Sequence, residues 1–114
     1  KIVLSNSATV NTNTILANIT QISNGNGYTT GGATCTISSV SETAGTAKVV
    51  AADVVWTASG SMGPFRYATL YNDTATSPAD ALVCWFDYGS SITLAATETF
   101  TVDFDPTNGL FTLA

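Results

Sequence analysis

Few residues in this chain are of a type that carries acid–base or nucleophilic chemistry. There is no histidine, which removes Ser–His–Asp and Cys–His nucleophile systems and the His-containing zinc and iron sites. A pair of carboxylates could still cleave a glycosidic bond, one as acid and the other as base or nucleophile. Asp87, Asp103 and Asp105 are the candidates for that role. No spacing singles out a pair among them, and solvated or ion-paired acids are the simpler reading. The segment Asp103-Phe104-Asp105-Pro106-Thr107-Asn108-Gly109 gathers oxygen-bearing side chains at a tight turn. It lacks the ligand run and closing Glu of an EF-hand loop, so an Asx-type turn is the default there. The glycines of Gly25–Gly32 come without a phosphate cradle's Lys and Ser/Thr, which leaves only a loop. Asn18-Ile19-Thr20 and Asn72-Asp73-Thr74 match the glycosylation sequon, a match that matters only in a secreted chain. No catalytic residue, cofactor or metal is expected.

Cys35 and Cys84 show neither a CxxC nor a metal-binding spacing. A domain of this size does not need a covalent staple, so two buried free thiols packing as small hydrophobes are expected. Arg66, the only arginine, sits in the apolar run Phe65-Arg66-Tyr67-Ala68. A guanidinium in a strand usually pairs with a carboxylate, and Asp87 in the next strand is the natural partner for a structural ion pair. The competing reading is an arginine snorkelling to the surface.

These residues must be positioned by strands. The 114 residues are 45% hydrophobic and 10% charged, which excludes the disordered class, and they fit a single domain over residues 1–114. Twenty threonines are interleaved with Val, Ile, Phe and Tyr. Such β-branched and aromatic side chains suit a pleated sheet, whereas Glu, Lys and Gln, which favour helices, are scarce. The net charge of −5 sets eight acids against Lys1, Lys48 and Arg66. Three cations cannot neutralise a run of phosphates or hold an anionic membrane, so neither nucleic acid nor membrane is an expected partner. No apolar run approaches the ~20 residues of a spanning helix. Ile2–Leu4 already read as strand, the pattern expected when a few residues precede Lys1.

After the polar stretch Ser5–Thr14, the spacing of Ile15, Leu16, Ile19 and Ile22 fits one or two turns of amphipathic helix capped by Asn13 or Thr14. Irregular structure fits the same spacing. Ser23–Gly32 is a loop by composition. From Ala33 onward short strands alternate with turn chemistry. They are expected at Thr34–Val40, Ala47–Ala51, Val54–Ala58, Phe65–Tyr71, Ala81–Tyr88, Glu98–Phe104 and Leu110–Leu113. The expected turns contain Ala44-Gly45, Ser59-Gly60, Gly63-Pro64, Asn72-Asp73, Gly89-Ser90 and Asn108-Gly109, with Asn-Gly the strongest hairpin signal. The expected fold is all-β, a single-domain β-sandwich or small β-barrel with at most one short N-terminal helix. Val83–Tyr88 is apolar on both faces except at Asp87, which predicts a central strand covered on both sides by core or by a partner.

An ordered set of segments carries a resemblance. They are Gly25-Asn26-Gly27-Tyr28-Thr29-Thr30-Gly31-Gly32-Ala33-Thr34, Ala51-Ala52-Asp53-Val54-Val55-Trp56 and Gly63-Pro64-Phe65-Arg66-Tyr67-Ala68. Tyr71-Asn72-Asp73-Thr74, Ser77-Pro78, Trp85-Phe86-Asp87-Tyr88-Gly89 and Glu98-Thr99-Phe100-Thr101-Val102-Asp103-Phe104 complete it. Together, from the first strand to Leu113, they resemble a group of small structural proteins of tailed-bacteriophage virions. Each motif alone is weak, and the order gives the specificity. Cys35 and Cys84 stand where other small or apolar residues are expected in that group.

The resemblance implies a non-enzymatic virion component assembled in the host cytoplasm. The first expectation is a capsid decoration, or cement, protein that binds the major capsid protein and forms a homo-oligomer. The alternative is a tail- or fibre-associated module that binds a host surface glycan or protein, and a carboxylate glycosidase is a third class. Loops rich in Gly, Asn, Thr and Pro let a backbone approach its partner, so Tyr28, Thr29, Thr30, Asn72, Asp73 and Pro78 are the expected partner contacts. Tyr28 would be the anchor; the plainer reading has it packing over its own domain.

Overall fold

The computed structural model describes all 114 residues. Eight strands follow one another: β1 (Ile2–Ser5), β2 (Ile37–Thr43), β3 (Thr46–Ala51), β4 (Val54–Thr57), β5 (Met62–Thr76), β6 (Ala79–Leu94), β7 (Thr99–Val102) and β8 (Phe111–Leu113). They form three antiparallel sheets, β1–β5–β6, β2–β3–β8 and β4–β7. The chain is all-β.

One core joins the sheets. Ile2 and Leu4 of β1, Ala51 of β3, Val54 and Trp56 of β4, Phe65, Ala68 and Leu70 of β5, and Val102 of β7 belong to a single buried cluster. Strand periodicity explains the choice of residues, since alternate side chains share a face. In β4, Val54 and Trp56 point inward while Val55 and Thr57 are exposed. The register sets Val54 opposite Val102 and Trp56 opposite Phe100, which aligns the apolar faces of β4 and β7.

Local backbone chemistry fixes two junctions. Thr43 pairs with Thr46 around Ala44 (φ 51°) and Gly45 (φ 84°), a two-residue turn with both central residues left-handed. That hand matches the twist of the flanking strands, and Glu42 Oε1 accepts the Gly45 N–H. At β1, Ile2 and Ala33 exchange two backbone hydrogen bonds of 2.9 Å. Gly32 (φ 74°) makes this possible, because a Cβ there would lie 1.9 Å from the Ile2 carbonyl oxygen. The polar stretch after β1 lies over the opposite face of β5, where the buried hydroxyls of Thr9 and Thr69 are 2.8 Å apart.

Four expectations need correction. The Asn13–Ile22 segment forms only a 3-10 turn at Leu16–Asn18 that buries none of its residues. Asn18 Oδ1 accepts from the N–H groups of Thr14 and Ile15, whereas Asn13 Oδ1 accepts from Val10, so neither Asn13 nor Thr14 caps a helix. Asn108-Gly109 does not make a hairpin, because β7 pairs with β4 and β8 pairs with β3. Gly63-Pro64, Asn72-Asp73 and Gly89-Ser90 do not turn the chain. β5 and β6 run through them as one hairpin of 15 and 16 residues closed at Ser77-Pro78. Four register shifts interrupt this hairpin, and bulges are where Gly, Pro and Asn are tolerated within strands. Lastly, Val83–Tyr88 is not central: β6 is the edge of its sheet.

Candidate functional site: an uncovered strand and an aromatic groove

β6 is an edge strand with the side chains of a covered one. Val83 is 47% exposed, Trp85 42%, Phe86 39% and Tyr88 57%. At its start β6 is flanked by the Thr14–Ile15 segment, where Leu82 N–H donates to the Thr14 carbonyl. Beyond that, no further strand pairs with it on the side away from β5. The register sets Phe86 opposite Ala68 and Cys84 opposite Leu70, so these two share the core-facing side of the sheet. Trp85 takes the other side, opposite Thr69.

Phe86 and Tyr88 form one wall of a groove of about 230 Å³, and Phe100, Val102 and Phe104 form the other. The rings meet edge to face, Tyr88 against Phe100 at 5.8 Å and Phe86 against Phe104 at 6.1 Å, the geometry favoured by the ring quadrupole. Phe100 also packs against Phe65 at 4.9 Å, which anchors the groove in the core. Asp87 and Asp103 lie on its rim.

Arg66 and Asp87 come together there as a bidentate pair, Nε to Oδ1 at 2.7 Å and Nη2 to Oδ2 at 2.8 Å. The Gly89 N–H also donates to Asp87 Oδ1. The Arg66 hydrogen bonds and then that backbone N–H hold the Asp87 carboxyl down at about 2. A glycosidase acid needs the opposite shift. Asp105 is committed elsewhere, accepting the backbone N–H groups of Thr107 and Asn108 in an Asx-type turn.

A second concavity of about 500 Å³ lies between the β2–β3–β8 sheet and the β5–β6 hairpin, lined by Ile37, Val49, Leu70, Val83 and Phe111 among others. Val40 lies opposite Val49, and Val49 opposite Phe111, so the three share a face. Val40 and Leu113 are largely exposed.

The loop residues named from the sequence are divided. Tyr28 is no partner contact: it is 2% exposed and belongs to the core cluster. Its hydroxyl donates to Gln21 Oε1 at 2.7 Å and accepts the Leu4 N–H at 3.3 Å. Burial pushes its pKa up to about 12. The glycines around it bring the loop back over β1, which turns the ring inward. Thr29 and Thr30 are exposed. Asn72 and Asp73 are exposed strand residues, and their side chains are occupied by Thr74 and by Lys1 Nζ at 3.0 Å. Pro78 is exposed at the hairpin tip. Tyr71 ties these groups together, donating to the Gly31 carbonyl at 2.8 Å beside Asp73. Both cysteines are free thiols, half-buried rather than buried. The groove residues Phe86, Tyr88 and Phe100 were not expected as a site, and Asp103 was expected only as one of three candidate carboxylates. Their one signal was the two-sided apolar pattern of Val83–Tyr88.

No group of three or more His, Cys, Asp or Glu side chains is placed to hold a metal ion, and no helix is long and apolar enough to cross a membrane. No family model matches the chain, and neither a curated protein nor a solved structure matches it.

Proposed function

We propose that this protein is a non-enzymatic virion component, a capsid decoration protein that docks on the major capsid protein and on copies of itself. The observation that carries the reading is the edge strand β6, whose Val83, Trp85, Phe86 and Tyr88 are uncovered by the chain itself. An apolar strand left open at a sheet edge invites another chain, and aromatic side chains are the usual anchors of protein interfaces. The resemblance of the ordered sequence segments to tailed-phage virion proteins supplies the context, a virion assembled in the host cytoplasm. A cement protein must touch more than one neighbour. The apolar face of Val40, Phe111 and Leu113 on the β2–β3–β8 sheet offers a second contact, reached from β6 across the concavity that Val83 and Phe111 both line.

The test is co-sedimentation of the purified chain with assembled capsid shells, beside Trp85→Lys and Tyr88→Lys variants. The wild type should pellet with shells and the variants should stay in solution while remaining folded. Pelleting with tails or host envelopes instead would shift the reading to a tail or fibre module. Copy number in purified particles separates the same two readings, with hundreds expected for a cement protein.

A further inference from the structure

We infer that the groove between β6 and β7 receives a cationic side chain, an arginine or lysine, from a protein docked along β6. This rests on the reading of β6 as a protein-docking strand and names the chemistry of its partner.

The groove's walls are aromatic: Phe86 and Tyr88 on one side, Phe100 and Phe104 on the other. Phe86 and Tyr88 are the exposed rings of the two edge-to-face pairs, and a cation near an exposed aromatic face is attracted by the ring quadrupole. The cavity of about 230 Å³ has room for one long side chain rather than a large ligand.

Charge selects the sign of the occupant. Of the two rim carboxylates, Asp87 is neutralised by Arg66, while Asp103 takes part in neither of the chain's ion pairs, Lys1–Asp73 and Arg66–Asp87. The remaining cation, Lys48, is turned to the Thr107 carbonyl. With a net charge of −5 and its cations so engaged, the surface favours an incoming cation and repels an anion. A neutral sugar would also stack on these rings. The glucoside arm of the experiment below separates it from a cation, since the groove also holds hydroxyls at Tyr88 and Thr101 that can donate to a sugar.

The experiment uses the isolated chain and no capsid. N-acetyl-arginine amide, its uncharged isostere N-acetyl-citrulline amide and a methyl glucoside are titrated separately while backbone amide resonances are followed by NMR. The arginine compound should shift the signals of Phe86, Tyr88, Thr101 and Asp103 in a saturable way, and the citrulline compound should not. Asp103→Asn should weaken binding about threefold, as removal of one exposed charge pair would, and added salt should weaken it further. Tyr88→Ala, at an exposed ring, should weaken it without loss of spectral dispersion. No saturable shift, equal shifts with citrulline, or shifts outside the groove would overturn the proposal. The same shifts produced by the glucoside would overturn it in favour of glycan binding. A negative result here leaves capsid co-sedimentation untouched, and a failure to bind capsids leaves this titration untouched, so the two proposals fail separately.

Discussion

Arg66 and Asp87 are joined across β5 and β6 by two parallel hydrogen bonds, and the Gly89 N–H completes the carboxylate's partners. Both residues are exposed enough for water and salt to screen them, so the pair orients the groove rim more than it holds the fold. The pH dependence follows from the sign of the shift. An unfolded Asp titrates near ~3.9, and here the carboxyl is held at about 2. Any stability from the pair is complete above the unfolded value and is lost as pH falls through the folded one. Carbon-detected NMR titration should place the Asp87 midpoint near 2. Arg66→Lys, which replaces a planar fork with a point charge, should raise it. An unmoved midpoint would show that the fork geometry is irrelevant.

Tyr28 should behave as a core residue. Tyr28→Ala is expected to cost about 3–5 kcal/mol, as loss of a buried aromatic does. Tyr28→Phe, which leaves the Leu4 N–H without its acceptor, should cost about 1–3 kcal/mol. Urea denaturation measures both, and a loss from Tyr28→Ala within the range of a surface substitution would contradict the burial.

Alkaline stability should respond to two tyrosines. Burial raises Tyr28 to about 12. Burial, and then the charges of Asp73 and Asp80, raise Tyr71 to about 12. The neutral forms therefore contribute stability that is full below the unfolded value near ~10 and lost as pH climbs through the folded values. Ultraviolet titration should show these two phenols ionising late, together with unfolding. Ionisation of both near the ordinary tyrosine value in the folded chain would rule this out.

The two strained turns predict opposite outcomes. Ala44 occupies a left-handed position before Gly45, where asparagine is the favoured residue. Ala44→Asn should stabilise the domain by about 0.5–1 kcal/mol. Gly32→Ala would drive a methyl into the Ile2 carbonyl and should destabilise the β1 edge severely. Thermal denaturation of the two variants decides the point, and a shift of the same sign in both would contradict the turn geometry.

The thiols should be intact and slow to react. Burial pushes both Cys35 and Cys84 up, and at Cys84 the neighbouring Cys35 adds to the shift. Alkylation without reductant should add two labels after denaturation and proceed slowly in the folded state. Recovery of unlabelled denatured protein would mean a disulfide.

The sequence alone determined what depends on local chemistry and composition. Threonine, β-branched and aromatic content dictated an all-β chain. A guanidinium among apolar strand residues pointed to its carboxylate partner. Ala44-Gly45 marked a real turn, because Gly45 takes a left-handed conformation freely and adjoining strand segments pair directly across it. Pairing between distant segments was settled only by the tertiary structure. Asn108-Gly109 has the composition of a hairpin, yet β7 pairs with β4 and β8 returns to β3, where Phe111 lies opposite Val49. Gly63, Asn72 and Gly89 have turn chemistry too, but within a long hairpin the same backbone freedom produces bulges. Tyr28 lies in a loop by composition, and only the folding of that loop over β1 buries it. The pattern of Val83–Tyr88 is that of a strand covered on both faces. A one-dimensional pattern does not say where in the sheet such a strand lies, and the sheet order puts it at an edge with Val83, Trp85, Phe86 and Tyr88 exposed.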